Sequence, residues 1–233
     1  PLQTGDTISL EGEPLNYVAR VLRLKPGTHL TIFNGQGGEY SARLESVGKR
    51  SASLIIGEYY DHDCESPLNL TLIQGISRGE RMDYTLQKAT ELGVTRIVPV
   101  FTQRSTVSLD GQRLEKRQQH WQGVVSSACE QSGRNHVPAV EAAVDLSEYL
   151  QQDVTGTKLL LDPLATDSLN AMSTPDDNTY LLIGPEGGLN DQERALAHAQ
   201  GYMGIQLGPR VLRTETAAVA CIAAMQVLWG DLH

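Results

Sequence analysis

The segment TYLLIGPEGGLNDQERALAHA, residues 179–199, constrains the fold more than any other stretch of the chain. It opens on a short run that is apolar at nearly every position, crosses Gly-Pro-Glu-Gly-Gly and enters a helical pattern led by asparagine. A strand with one wet face alternates polar and apolar residues, whereas a strand apolar throughout is covered on both faces, as in a parallel sheet between helices. The same strand type recurs at 68–76 (LNLTLIQGI), 94–101 (VTRIVPVF), 158–162 (KLLLD) and 203–207. Helical patterns separate these strands. Residues 81–92 place Met82, Leu86 and Ala89 on one face and end at Gly93, a C-terminal cap. Residues 112–132 carry Leu114, Trp121, Val125 and Ala128, and 189–199 and 214–229 complete the set. The alternation predicts an α/β domain with a mostly parallel sheet.

The first 60 residues follow another rhythm. Strand-like runs at 7–10, 28–33, 38–44 and 51–59 are joined by turns, and Leu15, Val18 and Leu22 predict one short helix over 14–24. The segment NGQGGEY at 34–40 has the opening of a dinucleotide fingerprint, but Tyr40 replaces the third glycine and no helix pattern follows. A hairpin turn is the better reading. At 61–67, DHDCESP breaks both patterns. His62 and Cys64 lack partners at metal-ligand spacing, so this stretch reads as a solvated linker. The boundary placed there divides the chain into an N-terminal domain, 1–66, and an α/β domain, 67–233.

The three cysteines are widely spaced, with no Cys-x-x-Cys, and suggest neither a disulfide framework nor a zinc cluster. The most apolar run, 217–229, is 13 residues, short of the roughly 18 that a membrane span requires. No signal-peptide pattern is visible, and a cytoplasmic protein is the simplest expectation. The formal net charge of −9 argues at first against nucleic acid. Counted by segment, however, residues 78–134 hold 9 basic and 6 acidic groups, while 135–233 hold 4 and 13. Such asymmetry permits a phosphate-facing side on an acidic protein and predicts a modest salt dependence of binding.

Ligands of open α/β sheets bind where loops leave the carboxyl ends of the strands. Three such loops stand out: LLLDP (159–163), IGPEGG (183–188) and LGPRVLRTETA (207–217). Gly184, Gly187 and Gly188 leave main-chain groups open to a flat ligand, and Pro185 stiffens the turn. The chain contains no phosphate loop, no serine-hydrolase elbow and no HExxH, and its histidines form no i, i+4 pair, so metal catalysis is unsupported. The polar residues at the loops are Glu186, Arg210, Arg213, Thr214, Glu215 and Thr216. Arg213 and Glu215 form either a structural ion pair or a polarising group with its orienter, and spacing alone favours the first. A further polar cluster, Glu130, Gln131, Ser132, Arg134 and Asn135, surrounds a helix end at Gly133.

Taken together, MDYTLQKATELGV (82–94), CEQSGR (129–134), IGPEGGL (183–189) and LGPRVLRTETA (207–217) resemble the RsmE family of bacterial 16S ribosomal RNA uracil-N3 methyltransferases, within the SPOUT superfamily. VARVLRLKPG (18–27) resembles that family's small PUA-like RNA-binding β-barrel. The resemblance covers essentially the whole chain and departs from the family at the N-terminus, where a short basic and aromatic segment is usual. It implies a trefoil-knot methyltransferase domain, a homodimer and an S-adenosylmethionine site. Residues implied at that site are Leu161, Asp162, Ile183, Gly184, Pro185, Glu186, Gly187, Gly188, Leu207, Gly208, Leu212, Arg213 and Thr214. Implied partners are 16S rRNA and the small ribosomal subunit, with no membrane and no metal.

Methylating uracil N3 requires removal of the imide proton or stabilisation of the anion. On this reading Arg213 donates to a uracil carbonyl oxygen, Glu215 orients that arginine or takes the proton, and Arg134 with Gln131 contacts the nucleotide or its phosphate. Arg20, Arg23 and Lys25 of the N-terminal domain, with Arg78 and Arg104, are the expected RNA contacts, against the alternative of solvated surface charges. The competing functions are a SPOUT methyltransferase acting on another RNA or another atom, such as tRNA or the ribose 2′-oxygen, and a non-catalytic RNA-binding assembly factor.

Overall fold

The computed structural model describes residues 2–105, 111–175 and 177–232. By internal contacts the chain divides into two compact units, one comprising residues 1–64 and 133–136, the other 65–132 and 137–233.

The first unit is a four-stranded antiparallel sheet. Its strands β1 (Thr7–Leu10), β2 (His29–Ile32), β3 (Glu39–Val47) and β4 (Ala52–Tyr60) are ordered β1-β4-β3-β2. Leu44, Leu54 and Ala52 line one face, closed over by Leu15 and Val18. The single helix expected at 14–24 is instead a short α1 (Gly12–Asn16) running into a π-helical turn, Tyr17–Val21, and Arg23 then takes a positive φ of 52°. Leu15 and Val18 point inward, but Leu22 is 47% exposed, so the expected apolar face holds only at its first two positions. The 34–40 segment is the turn between the antiparallel neighbours β2 and β3, as expected. Residues 133–136 join this unit from far along the chain. The Gly37 N–H donates to Asn135 O at 3.1 Å, the Asn135 side chain donates to His62 O at 2.6 Å, and Cys64 Sγ lies 3.2 Å from Gly133 O.

The second unit contains β5 (Leu70–Gly75), α2 (Glu80–Glu91), β6 (Arg96–Phe101), α3 (Gly111–Ser132), β7 (Ala139–Val140), β8 (Val144–Asp145), α4 (Leu146–Leu150), β9 (Thr157–Leu161), β10 (Thr179–Ile183), α5 (Asp191–Ala199), β11 (Met203–Ile205) and α6 (Thr214–Trp229). The sheet runs β11-β9-β10-β5-β6-β7, with β8 also on β6, and every one of these pairings is parallel. Side chains on neighbouring strand positions point to opposite faces, and both faces are covered. Leu70, Leu72, Leu159, Leu181 and Ile183 pack with Met82, Leu86, Trp121, Val125, Ile222 and Met225 of α2, α3 and α6. Ile73, Leu160, Tyr180 and Leu182 pack on the other side with Leu146 and Tyr149 of α4 and Ala197 of α5. This two-sided burial is why the strands read as unbroken apolar runs.

Local signals fix the helix ends. Asn190 accepts from the Glu193 N–H at 2.8 Å while the Glu193 side chain accepts from the Asn190 N–H at 2.8 Å, a reciprocal cap that starts α5 two residues later than the sequence pattern suggested. Gly93 follows α2 with φ at 83° and its N–H on Thr90 O, as its glycine predicted. Among the described residues no helix is long and apolar enough to cross a membrane.

Candidate active site

Because β11, β9, β10 and β5 are adjacent and parallel, their carboxyl ends fall along one edge of the sheet and deliver the 162–168, 184–189 and 206–213 loops there. The loops are cross-tied. The Asp162 N–H donates to Ile205 O at 3.0 Å, the Gln206 N–H to Asp167 O at 2.8 Å, and Gln206 Nε2 to Pro163 O at 2.8 Å. Asp162, 6% exposed, uses one carboxylate oxygen to accept from the Leu164 N–H at 2.9 Å, and the other lies 3.6 Å from Arg194 Nε.

The 184–189 loop is held nearly residue by residue. Gly184 O accepts from the Thr214 hydroxyl at 2.7 Å and from Gln74 Nε2 at 3.4 Å. Pro185 lies on the end of β5, where a Cβ on Gly75 would stand 2.5 Å from its ring; only glycine allows that approach. Glu186 accepts from the Arg78 N–H at 2.9 Å and from Arg81 Nη1 at 3.0 Å. Burial alone would raise the Glu186 carboxyl, but these N–H groups, its own backbone N–H and the Arg81 charge hold it below the usual carboxylate range. Arg104 Nη1 donates to Gly187 O at 3.0 Å, and Arg194 Nη1 to Leu189 O at 2.8 Å.

These contacts bear on two expectations. Gly184, Gly187 and Gly188 are expected to leave main-chain groups open to a flat ligand; a Cβ at Gly184 would meet the Gly188 and Leu189 backbone at 3.0 Å and one at Gly187 would meet Arg104 Cβ at 2.9 Å, whereas one at Gly188 would meet nothing within 4 Å. The space beside the first two is filled by the protein itself, and that beside Gly188 is open. Arg104, expected on RNA, spends one guanidinium nitrogen on the loop, and Arg78 contributes its main-chain N–H.

At the head of α6, Arg213 takes the N-cap position and its carbonyl accepts from the Ala217 N–H at 2.7 Å. Its side chain is exposed and, among the described residues, makes no ion pair or hydrogen bond. Glu215 does not orient it: Glu215 Oε1 lies 3.9 Å from Arg81 Nε, and its Oε2 is buried without a hydrogen-bond partner. Leu161, Leu207 and Leu212 are half-buried, and Gly208, at φ 67°, is exposed. Ile183 and Thr214 are buried.

Arg134, in the first unit, is 4% exposed, and Gln131 is exposed at the end of α3. Arg20, Arg23 and Lys25 are exposed on the first unit. The residues that sequence reasoning missed are Gln74, Arg81 and Arg194. Among the described residues no cluster of His, Cys, Asp and Glu could hold a metal ion.

The unpaired buried oxygens of Gln74 and Glu215, both acceptors, lie in the elements that carry these loops, and they suit a ligand rich in N–H or O–H donors or bearing positive charge. Leu164 and Val211, on the loops after β9 and β11, are 72% and 84% exposed and give the same edge apolar surface.

Comparison with known proteins is consistent with this chemistry. The model of an RNA methyltransferase domain matches residues 64–226, and that of an RNA methyltransferase PUA domain matches 10–57. Ribosomal RNA small subunit methyltransferase E of Buchnera aphidicola is 34% identical over 99% of this chain and 94% of its own length; that of Bacillus subtilis is 29% identical over 99% and 95%. The crystal structure of ribosomal RNA small subunit methyltransferase E from Neisseria gonorrhoeae bound to S-adenosylmethionine superposes with a TM-score of 0.93 at 43% identity, covering 100% of this chain and 96% of that one. A Legionella pneumophila protein solved in complex with the same cofactor gives a TM-score of 0.97 at 38% identity, with the same coverage. By its motifs, its mixed architecture and these matches along nearly its full length, the chain belongs to the ribosomal RNA small subunit methyltransferase E family of RNA methyltransferases.

Proposed function

We propose that this protein methylates N3 of one uridine in the decoding region near the 3′ end of 16S rRNA, using S-adenosylmethionine and acting on the small ribosomal subunit in the cytoplasm. The observation that carries the reading is the loop edge: three adjacent parallel strands present clamped loops beside an exposed arginine and an incompletely bonded carboxylate. Relatives at 38% and 43% identity hold S-adenosylmethionine. Leu161, Asp162, Ile183–Gly188, Leu207, Gly208 and Leu212–Thr214 would hold it here. When bound, it supplies an electrophilic methyl group whose bonding electron pair returns to sulfur.

The chain's own residues do the rest. N3 of uracil carries a proton near neutral pH, so its electron pair must be released at the moment of transfer. Arg213, with no competing partner among the described residues, would donate to a uracil carbonyl oxygen and favour the anion. Glu215 serves as the proton acceptor, and Arg134 with Gln131 as nucleotide contacts. The clamped loop limits motion between the reacting groups, and alignment alone supplies much of the acceleration in such displacements. Arg20, Arg23 and Lys25 are the proposed grip on RNA, through phosphates.

The trefoil knot and the homodimer belong to the same proposal. The dimer is supported by α6, which carries no charged residue after Glu215 and leaves Val227 and Leu228 60% and 41% exposed.

The deciding experiment is transfer of labelled methyl to small subunits lacking the modification, followed by primer extension. A methyl on N3 blocks the pairing edge and stops the reverse transcriptase at one uridine. Label on another RNA, or label without that stop, overturns the reading.

A further inference from the structure

Three charged side chains from distant parts of the chain meet at the loop edge: Arg81 on α2, Glu186 in the glycine-rich loop and Glu215 in the first turn of α6. Glu186 does not depend on Arg81, because the Arg78 N–H already binds it at 2.9 Å and Gln74, Thr214, Arg104 and Arg194 hold the rest of the loop. Nor does the Arg81–Glu186 pair add much to stability, since Arg81 is 43% exposed and water screens such pairs. What Arg81 alone supplies is a cation for Glu215: among the described residues no other cation stands within ion-pair distance of that carboxylate. One guanidinium therefore faces two carboxylates, through Nη1 to Glu186 at 3.0 Å and through Nε to Glu215 at 3.9 Å. The nearer contact anchors the guanidinium, and from there its charge attracts the Glu215 carboxylate across 3.9 Å.

Glu215 itself is incomplete. Its Oε1 is 3.9 Å from Arg81 Nε, while Oε2 is buried and accepts no hydrogen bond from any described residue, although the side chain keeps 17% of its surface accessible. A carboxylate with spare acceptor capacity at the loop edge suits a donor brought by a bound molecule.

We propose that Arg81 is a positioning residue for methyl transfer, anchored by Glu186 and holding the Glu215 carboxylate at the loop edge as the acceptor of the uracil proton. The inference rests on the functional reading above. In the step it serves, the N3–H bond breaks and the proton passes to Glu215. The N3 electron pair forms the new bond to the methyl carbon, and the carbon–sulfur pair returns to the positively charged sulfur, leaving a neutral thioether. Glu215 then releases its proton to solvent.

The test compares wild type with Arg81→Gln, Arg81→Lys, Glu215→Gln and the Arg81→Gln/Glu215→Gln double variant, each first checked for an unchanged thermal unfolding midpoint. Calorimetry with S-adenosylmethionine alone is expected to give Arg81→Gln a dissociation constant within roughly threefold of wild type, while its kcat on small subunits falls about tenfold or more. Arg81→Lys, which keeps the charge but has one nitrogen in place of the two that face Glu186 and Glu215, recovers only part of the loss. The double variant is no slower than Glu215→Gln, because the arginine acts through that carboxylate. Affinity falling as far as kcat, or losses that multiply in the double variant, would overturn the proposal by making Arg81 a loop fastener or an independent group. A wild type that transfers no methyl overturns the functional reading itself, whereas an active wild type with Arg81→Gln equally fast overturns only the role of Arg81.

Discussion

Gln74 Nε2 donates to Thr214 Oγ1 across 3.1 Å, joining the end of the central strand β5 to the first residue of α6, 140 positions later in the chain. The same hydroxyl donates to Gly184 O at 2.7 Å, so one threonine pins a third element, the glycine-rich loop. Both partners of the Gln74–Thr214 bond are buried, and each group left without its partner pays the desolvation cost of a lost hydrogen bond. Thr214→Val, which keeps the shape and removes the hydroxyl, is expected to destabilise the protein by about 1–3 kcal/mol. It should weaken S-adenosylmethionine binding as well, while Thr214→Ser restores most of both. Urea unfolding and calorimetry measure the two effects; a valine variant as stable as wild type would show the hydroxyl to be dispensable.

Arg213 makes the opposite pattern testable. With an exposed side chain that bonds to no described residue, Arg213→Ala should shift stability by no more than about 0.5 kcal/mol. Methyl transfer should nonetheless fall by about a hundredfold, the usual scale for losing a donor to a developing anion. Unfolding midpoints and single-turnover rates on the same preparations decide this, and near-normal transfer by the alanine variant would remove Arg213 from the mechanism.

Glu186 should leave a mark on acid stability. A carboxyl held below its ordinary value of 4.5 contributes fully above that value. The contribution is lost as the pH falls through the folded value, because the unfolded chain then binds more protons. Wild type should therefore exceed Glu186→Gln in urea midpoint at about pH 6, with the gap closing toward about pH 3. A gap independent of pH would mean that the Arg78 and Arg81 contacts do not favour the ionised form.

The outer side of α6 bears on assembly. Val227→Glu places a charge on a residue that is 60% exposed here and is proposed to be covered by a second copy. Sedimentation velocity should find wild type as a dimer and the variant shifted to monomer. A wild type that sediments as a monomer rules out this use of the face.

Much of this architecture was legible in the sequence because burial on both sides of a sheet writes itself as unbroken apolar strands. α6 runs over Thr214–Trp229 as its apolar content foretold, and the three loops at the strand ends were identifiable from their glycine and proline content. β7 and β8 were not, since two residues are too few to establish a period. Arg81 was passed over because an arginine in the first turn of a helix reads as a solvated face until the partners 105 and 134 positions away are known. The pairing of Glu215 was misassigned for the same reason: Arg213 is near in sequence, but Arg81 is near in space. Arg104 was read by its charge, whereas its geometry ties it to two main-chain carbonyls of the glycine-rich loop.

The return of residues 133–136 to the first unit bears on how the chain is born. An N-terminal domain ordinarily folds as soon as it clears the ribosome. Here the contacts from Gly37 and His62 to Asn135 and from Cys64 to Gly133 cannot form until a segment roughly 70 residues further along has been synthesised. At roughly 5–20 residues per second, the first unit waits several seconds for its last piece. A nascent chain paused within α3 would display an unfinished N-terminal unit, and a fragment ending at residue 64 would lack part of its own structure.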